Sequence, residues 1–165
     1  MTTLIGIDPG LASTGYGVIR FDGSRFHHAG HGVITTKPDT PLPLRLLHIY
    51  HELKKVIAEY GPGEAGVEEL YFARNSSSAL QVAHARGVVL MALGEAGLRV
   101  GCYSPQNVKQ AVIGSGRAEK HQVQRLVGVI LGLDEPPEPD HAADALAVAV
   151  CHANRSHLYV QQHQR

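Results

Sequence analysis

Three segments far apart in the chain carry side chains from which hydrolytic chemistry can be built. Leu4-Ile5-Gly6-Ile7-Asp8-Pro9-Gly10 is an apolar strand that ends on a carboxylate and turns at once. Asp8 therefore either stands at the C-terminal edge of a buried strand or simply opens an Asp-Pro-Gly turn. Gly66-Val67-Glu68-Glu69-Leu70 brings two more carboxylates, which strand alternation sends to opposite faces, so only one of them can join Asp8. If this strand runs parallel to the first, the carboxylates reach the same sheet edge, where open α/β sheets place ligands; the alternative is a pair of charges facing water. In Pro139-Asp140-His141-Ala142-Ala143-Asp144-Ala145-Leu146, Asp140 is a candidate N-cap, and His141 and Asp144, three apart, share a helix face. Asp144 points into an Ala- and Val-rich helix, where a carboxylate needs a partner.

Carboxylates gathered from distant segments repel one another unless a cation lies between them. Hard oxygen donors favour Mg²⁺ or Mn²⁺, which keep water and take up phosphate oxygens. Two such ions per site can activate a water and stabilise the leaving oxygen of a phosphodiester. The residues alone thus suggest metal-dependent phosphoryl transfer.

The elements that must position these groups follow from periodicity. Strand patterns cover Thr3–Asp8, Tyr16–Phe21 and Arg25–Thr35, the last two joined by an Asp22-Gly23-Ser24 turn. After a Pro-broken loop from Thr36 to Pro43, apolar residues from Leu46 to Tyr60 recur at helical spacing until Gly61-Pro62-Gly63 stops them. A strand at Ala65–Leu70, a helix at about Ser77–Ala96, a strand at Leu98–Tyr103 and helices at Gln106–Ile113, Lys120–Leu131 and His141–Asn154 complete the chain. The order βββαβαβααα predicts one α/β domain over residues 1–160, a mixed five-stranded sheet with helices on both faces, and a frayed tail at 161–165.

At 165 residues, with 44% hydrophobic and 18% charged side chains, the chain can bury a real core, which argues against disorder. Its 15 Lys and Arg balance 15 Asp and Glu. That total excludes a broadly cationic binder but not a single basic face. Residues 70–133 carry +5 and residues 134–144 carry -5. Cys102 and Cys151 stand alone, so neither a disulfide framework nor a zinc site is encoded and a reducing cytoplasm is expected. No apolar run is long enough to span a bilayer. Of the 11 histidines, His27, His28 and His31 resemble a metal cluster, but alternation sends His27 and His28 to opposite faces. Apart from His141, the histidines are expected at the surface.

Gly6-Ile7-Asp8-Pro9-Gly10, Thr14-Gly15-Tyr16-Gly17-Val18, Val67-Glu68-Glu69, Ala83-His84-Ala85-Arg86-Gly87, Pro105-Gln106-Asn107-Val108-Lys109-Gln110, Ala118-Glu119-Lys120 and Ala143-Asp144-Ala145-Leu146-Ala147 occur in this order along nearly the whole chain. Together they closely resemble RuvC-type crossover junction endodeoxyribonucleases. The resemblance implies a ribonuclease H-like fold, a homodimer, divalent-metal-dependent paired nicking of four-way (Holliday) DNA junctions in recombination and repair, and dependence on a branch-migration helicase complex. Asp8, Glu68 and Asp144 match the family's acidic ligands. His141 falls where many members carry aspartate; an imidazole there removes a negative charge and offers a softer donor suited to Mn²⁺, and activity is expected to fall as it protonates.

Lys109, Lys120 and Arg117, the last in the loop Gly114-Ser115-Gly116-Arg117, are expected on DNA phosphate, and the two lysines match family positions near the scissile phosphate. Tyr71 matches the aromatic that stacks on unpaired junction bases, with Arg74 and Asn75 following it. Gly87 interrupts a helix that the family uses for dimer contacts. Three other readings stand against this one. A kinase-like ATPase lacks a second domain, a non-catalytic junction-binding dimer has no need of the acidic set, and an RNA-processing nuclease shares that set without junction specificity.

Overall fold

The computed structural model describes residues 1–69 and 76–163, with backbone only for 76–77 and 157–163. Ten elements follow in the expected order: β1 (Thr2–Asp8), β2 (Ser13–Phe21), β3 (Phe26–Thr35), α1 (Leu42–Tyr60), β4 (Glu64–Glu68), α2 (Ser76–Glu95), β5 (Arg99–Tyr103), α3 (Pro105–Ile113), α4 (Lys120–Leu131) and α5 (Asp140–His163). The strands form one sheet in the order β3-β2-β1-β4-β5. The β1-β2-β3 meander is antiparallel, whereas β4 and β5 run parallel to β1. Parallel neighbours need a crossover, and α1 and α2 supply the two.

Strand alternation divides the core between the two faces of the sheet. Ile5, Ile7, Val18, Ile34, Ala65 and Val67 pack with Ile49 and Leu53 of α1 and Val89 and Leu93 of α2. Leu4, Ile19 and Tyr103 pack on the other face with Val108 of α3, Val123 and Val127 of α4, and Leu146 and Val150 of α5. The mixed sheet with helices on both faces is as the sequence predicts.

Helices α1 and α5 depart from the expected bounds. Helix α1 begins at Leu42, inside the segment read as a loop, because Pro43 lies in the first turn, where no intrahelical N–H is required. Helix α5 extends beyond Asn154 to His163. Asp140, expected as an N-cap, is the first residue of α5, and its carboxylate reaches α4 instead.

The histidines also differ from expectation. His152 is 5% exposed and not at the surface. Its Nε2 donates to Glu64 Oε2 at 3.1 Å, leaving Nδ1 to accept from the Tyr103 hydroxyl at 2.8 Å, while Arg99 pairs with the other Glu64 oxygen. Burial outweighs the attraction of Glu64 and lowers the His152 pKa. On β3 a bulge opposite Val18 and Ile19 brings His28 Nε2 to 2.7 Å from His31 Nδ1, and His27 turns away to Asp22. The three do not converge.

Candidate active site

The site is set by the register of β1 and β4. Ile7 pairs with Val67, so Asp8 and Glu68 end two adjacent parallel strands. Both lie on the face that carries Gly6 and Gly66, and α5 crosses that face at very close range. A methyl group at Gly6 would collide with the Ala145 carbonyl and lie 2.5 Å from Ala149 N. At Gly17 it would lie 2.6 Å from Leu146 N. Only glycine lets the helix backbone rest on the strands at this range. The loop after Asp8 is tied down by buried Thr14, whose hydroxyl donates to Gly10 O at 2.7 Å.

This docking brings the start of α5 over the strand ends. His141 Nδ1 lies 2.8 Å from Asp8 Oδ2. Donor atoms of Asp8, His141 and Asp144 all fall within 4.8 Å of one another, a group that can hold a metal ion and, among the described residues, the one such group of His, Cys, Asp and Glu. Glu68 stands beside it, close enough for the charges of Asp8 and Asp144 to act on its carboxyl. The side chain of Asp8 is 12% exposed and that of Asp144 25%, against 50% for His141. The centre is therefore shielded on its carboxylate side and open at the imidazole.

Burial and crowding change the acidities. The Glu68 carboxyl is pushed up to about 8, first by burial and then by the charge of Asp8, with Asp144 adding to it. Asp144 is raised by burial and by Asp8, against the pull of Lys120 and Gln124. The Lys120 ammonium is partly buried, which opposes its charge, but its bonds to Asp144 and Asp140 outweigh this and raise its pKa. Such a centre has negative charge in excess of what the protein neutralises. It fits a divalent cation, since oxygen donors and one imidazole are the ligands Mg²⁺ and Mn²⁺ accept.

Next to the carboxylates a cavity of about 200 Å³ is lined by Glu68, Pro105, Val108, Lys109, Lys120, Val123, Asp144 and Ala147. Lys109 and Lys120, both singled out in the sequence, thus share one cleft with two of the acids. Helix α3, which carries Lys109, is started by the Ser104 hydroxyl accepting from Asn107 N at 3.2 Å. Lys120 opens α4 and lies 2.9 Å from Asp144 Oδ2 and 3.4 Å from Asp140 Oδ2. Arg117 is exposed in the loop between those helices and does not line the cleft. Tyr71, Arg74 and Asn75 lie outside the described residues. Sequence reasoning missed Gln124, whose side-chain amide reaches Asp140 Oδ1 and Asp144 Oδ1 at 3.4 and 3.5 Å. The available signal was its spacing, one helical turn after Lys120.

A mixed five-stranded sheet covered on both faces, with acids from two parallel strand ends and from the helix that crosses them, defines a nuclease of the ribonuclease H-like class. The family model described as "Crossover junction endodeoxyribonuclease RuvC" matches residues 4–152, and the chain belongs to this family. The crossover junction endodeoxyribonuclease RuvC of Treponema denticola is 54% identical over 151 residues, spanning 92% of this chain and 85% of its own. That of Syntrophomonas wolfei is 50% identical over 155 residues, 94% and 90% of the two chains. The solved structure of T. thermophilus RuvC in complex with Holliday junction substrate superposes with a TM-score of 0.91 at 38% identity, covering 96% of each chain. The family and the fold read from the sequence blocks are thereby met. Among the described residues no helix is long and apolar enough to cross a membrane.

Proposed function

We propose that this protein resolves four-way DNA junctions by paired, divalent-metal-dependent hydrolysis of phosphodiesters. The observation that carries this reading is the convergence of Asp8, His141, Asp144 and Glu68 beside a cleft that also holds Lys109 and Lys120. Asp8, Glu68, Asp144 and His141 are the ligands for Mg²⁺ or Mn²⁺, two ions per site. Bound there, the cations supply Lewis acidity toward the phosphate and a more acidic water.

The chain's own groups do the rest. The close contact of His141 Nδ1 with Asp8 Oδ2 turns that edge of the ring toward the carboxylates, so that the imidazole would share a cation with Asp8 and Asp144. Lys109 and Lys120 offset the charge of the scissile phosphate and hold the strand against the cleft. The basic segment 70–133 extends this contact along the DNA arms through Arg117, Arg74 and Asn75, and Tyr71 stacks on a base opened at the crossover.

Two strands must be cut at symmetric positions, which a two-fold dimer achieves. Helix α2 supports one. Leu80 is 62% exposed and Met91 57%, and a Cβ at Gly87 or Gly94 would meet nothing within this chain. A second copy packing on that face gives Gly87 the close neighbour that a glycine inside a helix calls for. The branch-migration helicase complex is the further partner, and the cytoplasm, where both cysteines stay free thiols, is the compartment.

The test incubates the protein with a synthetic four-way junction, linear duplex and structured RNA, in Mg²⁺, Mn²⁺ or EDTA, alongside Asp8→Asn. Symmetric paired nicks confined to the junction, lost in EDTA and in Asp8→Asn, are expected. Cleavage of the RNA instead would move the reading to an RNA-processing nuclease. Binding without cleavage under every metal condition would reduce it to a junction-binding protein.

A further inference from the structure

Lys120 is the first residue of α4, where the positive end of the helix dipole disfavours a cation. What holds it lies across the helix pair. Lys120 and Gln124 are one turn apart on α4, and Asp140 and Asp144 are one turn apart on α5. The four close a ring. Lys120 Nζ bonds Asp144 Oδ2 at 2.9 Å and Asp140 Oδ2 at 3.4 Å, while Gln124 Nε2 reaches the Oδ1 atoms of the same two residues at 3.4 Å for Asp140 and 3.5 Å for Asp144. Asp144 belongs to the group that can hold a cation, and Asp140 does not.

A cation held by Asp144 with Asp8 and His141 draws on the same carboxylate that attracts Lys120. Were Asp144 the ammonium's only partner, Lys120 would either compete with the cation or swing out into solvent. We infer that Asp140 is a positioning residue for Lys120, a second seat aligned by Gln124 that keeps the ammonium at the cleft once Asp144 turns to a cation. The inference rests on the metal-dependent reading above. The side chain of Asp140 is 72% exposed, and ion pairs in water are weak, so this seat orients Lys120 without withholding it from a DNA phosphate. A buried partner would hold it too tightly to be handed over.

Asp140→Asn in the full chain removes the seat while keeping an acceptor for Gln124 and a side chain suited to a helix start. Mn²⁺ titration of the DNA-free protein, followed by the loss of the free-ion paramagnetic resonance signal, should show affinity about threefold weaker, the range an exposed pair commands. Asp140→Glu should restore it. In a Lys120→Met background the same Asp140→Asn change should have no effect, because there is no ammonium left to seat. On junction DNA, Asp140→Asn should lower kcat and leave KM unchanged. Equal weakening of Mn²⁺ binding with and without Lys120 would overturn the inference, since Asp140 would then act only as a nearby charge; so would unchanged binding with Lys120 present. The Mn²⁺ arm needs no cleavage. A protein that shows this pattern yet leaves junctions whole keeps the seat and loses the junction reading.

Discussion

Among single residues, His141 is the most exposed member of the group that can hold a cation. Its ring lies against Asp8 and is half exposed, so a change there alters that group without disturbing the core. His141→Asp supplies a hard oxygen donor and one negative charge. The ratio of junction cleavage in Mn²⁺ to that in Mg²⁺ should fall on the order of tenfold in the variant, measured at saturating metal. An unchanged ratio would remove His141 from the ligands.

Glu68 yields a second prediction at this scale. Its pKa of about 8 lies above the reference of 4.5, so its contribution to the stability of the metal-free protein is present below pH 4.5 and is lost as pH rises through 8. A bound cation needs the carboxylate, so metal binding at pH 7 should release about one proton. Calorimetric titration in buffers of different ionisation enthalpy measures that number directly, and Glu68→Gln should bring it toward zero. The acids themselves were legible in the sequence, because apolar strands ending in carboxylates and an Asp inside an alanine-rich helix are unusual. Gln124 was not legible, because an amide earns its place by what faces it across two helices, and one sequence does not state that.

Among the elements, α5 decides whether the site exists. It carries His141 and Asp144, and its distance from β1 and β2 is set by Gly6 and Gly17. Gly6→Ala forces a methyl into the Ala145 carbonyl and Ala149 N, and neither backbone group can rotate away. Urea denaturation should show a loss on the order of 3 kcal/mol, the upper end for an overpacked core. Divalent-metal affinity should fall in the same variant, since Asp8 and Asp144 separate as the helix lifts. The element order was legible because each segment has its own period and each stop has its own Gly or Pro. Two features of the elements were not. Pro43 read as a breaker, although a proline in the first turn starts a helix as readily as it ends one. His152 read as surface because its partners Glu64 and Tyr103 lie 88 and 49 residues away in the chain.

For the whole molecule, formal neutrality is the sum of opposed regions. The +5 of residues 70–133 lies next to the -5 of residues 134–144, and the structure brings the two together where α4 meets α5 through Lys120, Asp140 and Asp144. DNA approaching this cleft meets lysines and uncompensated carboxylates at once. With no cation bound, the carboxylates repel the phosphate that the lysines attract. Divalent cations in the site reverse the local sign, and a bound ion is then the largest charge there. Junction binding should therefore tighten when metal loads. The measurement is junction affinity by fluorescence anisotropy at fixed ionic strength, with Ca²⁺ as a cation that occupies oxygen sites, against EDTA. Affinity should rise about tenfold with Ca²⁺, the effect of relieving roughly 1.4 kcal/mol of repulsion. Ionic strength must be matched, because screening alone weakens phosphate contacts and would mask the gain. Asp8→Asn combined with Glu68→Gln removes the repelling charge of Asp8, the protonated Glu68 carrying little charge without metal, and much of the metal affinity. That protein should bind junctions more tightly than the parent in EDTA and respond little to Ca²⁺. If the parent instead binds equally well with and without the cation, the acidic centre lies outside the field the DNA experiences, and the cleft between α3, α4 and α5 is not where the strand passes.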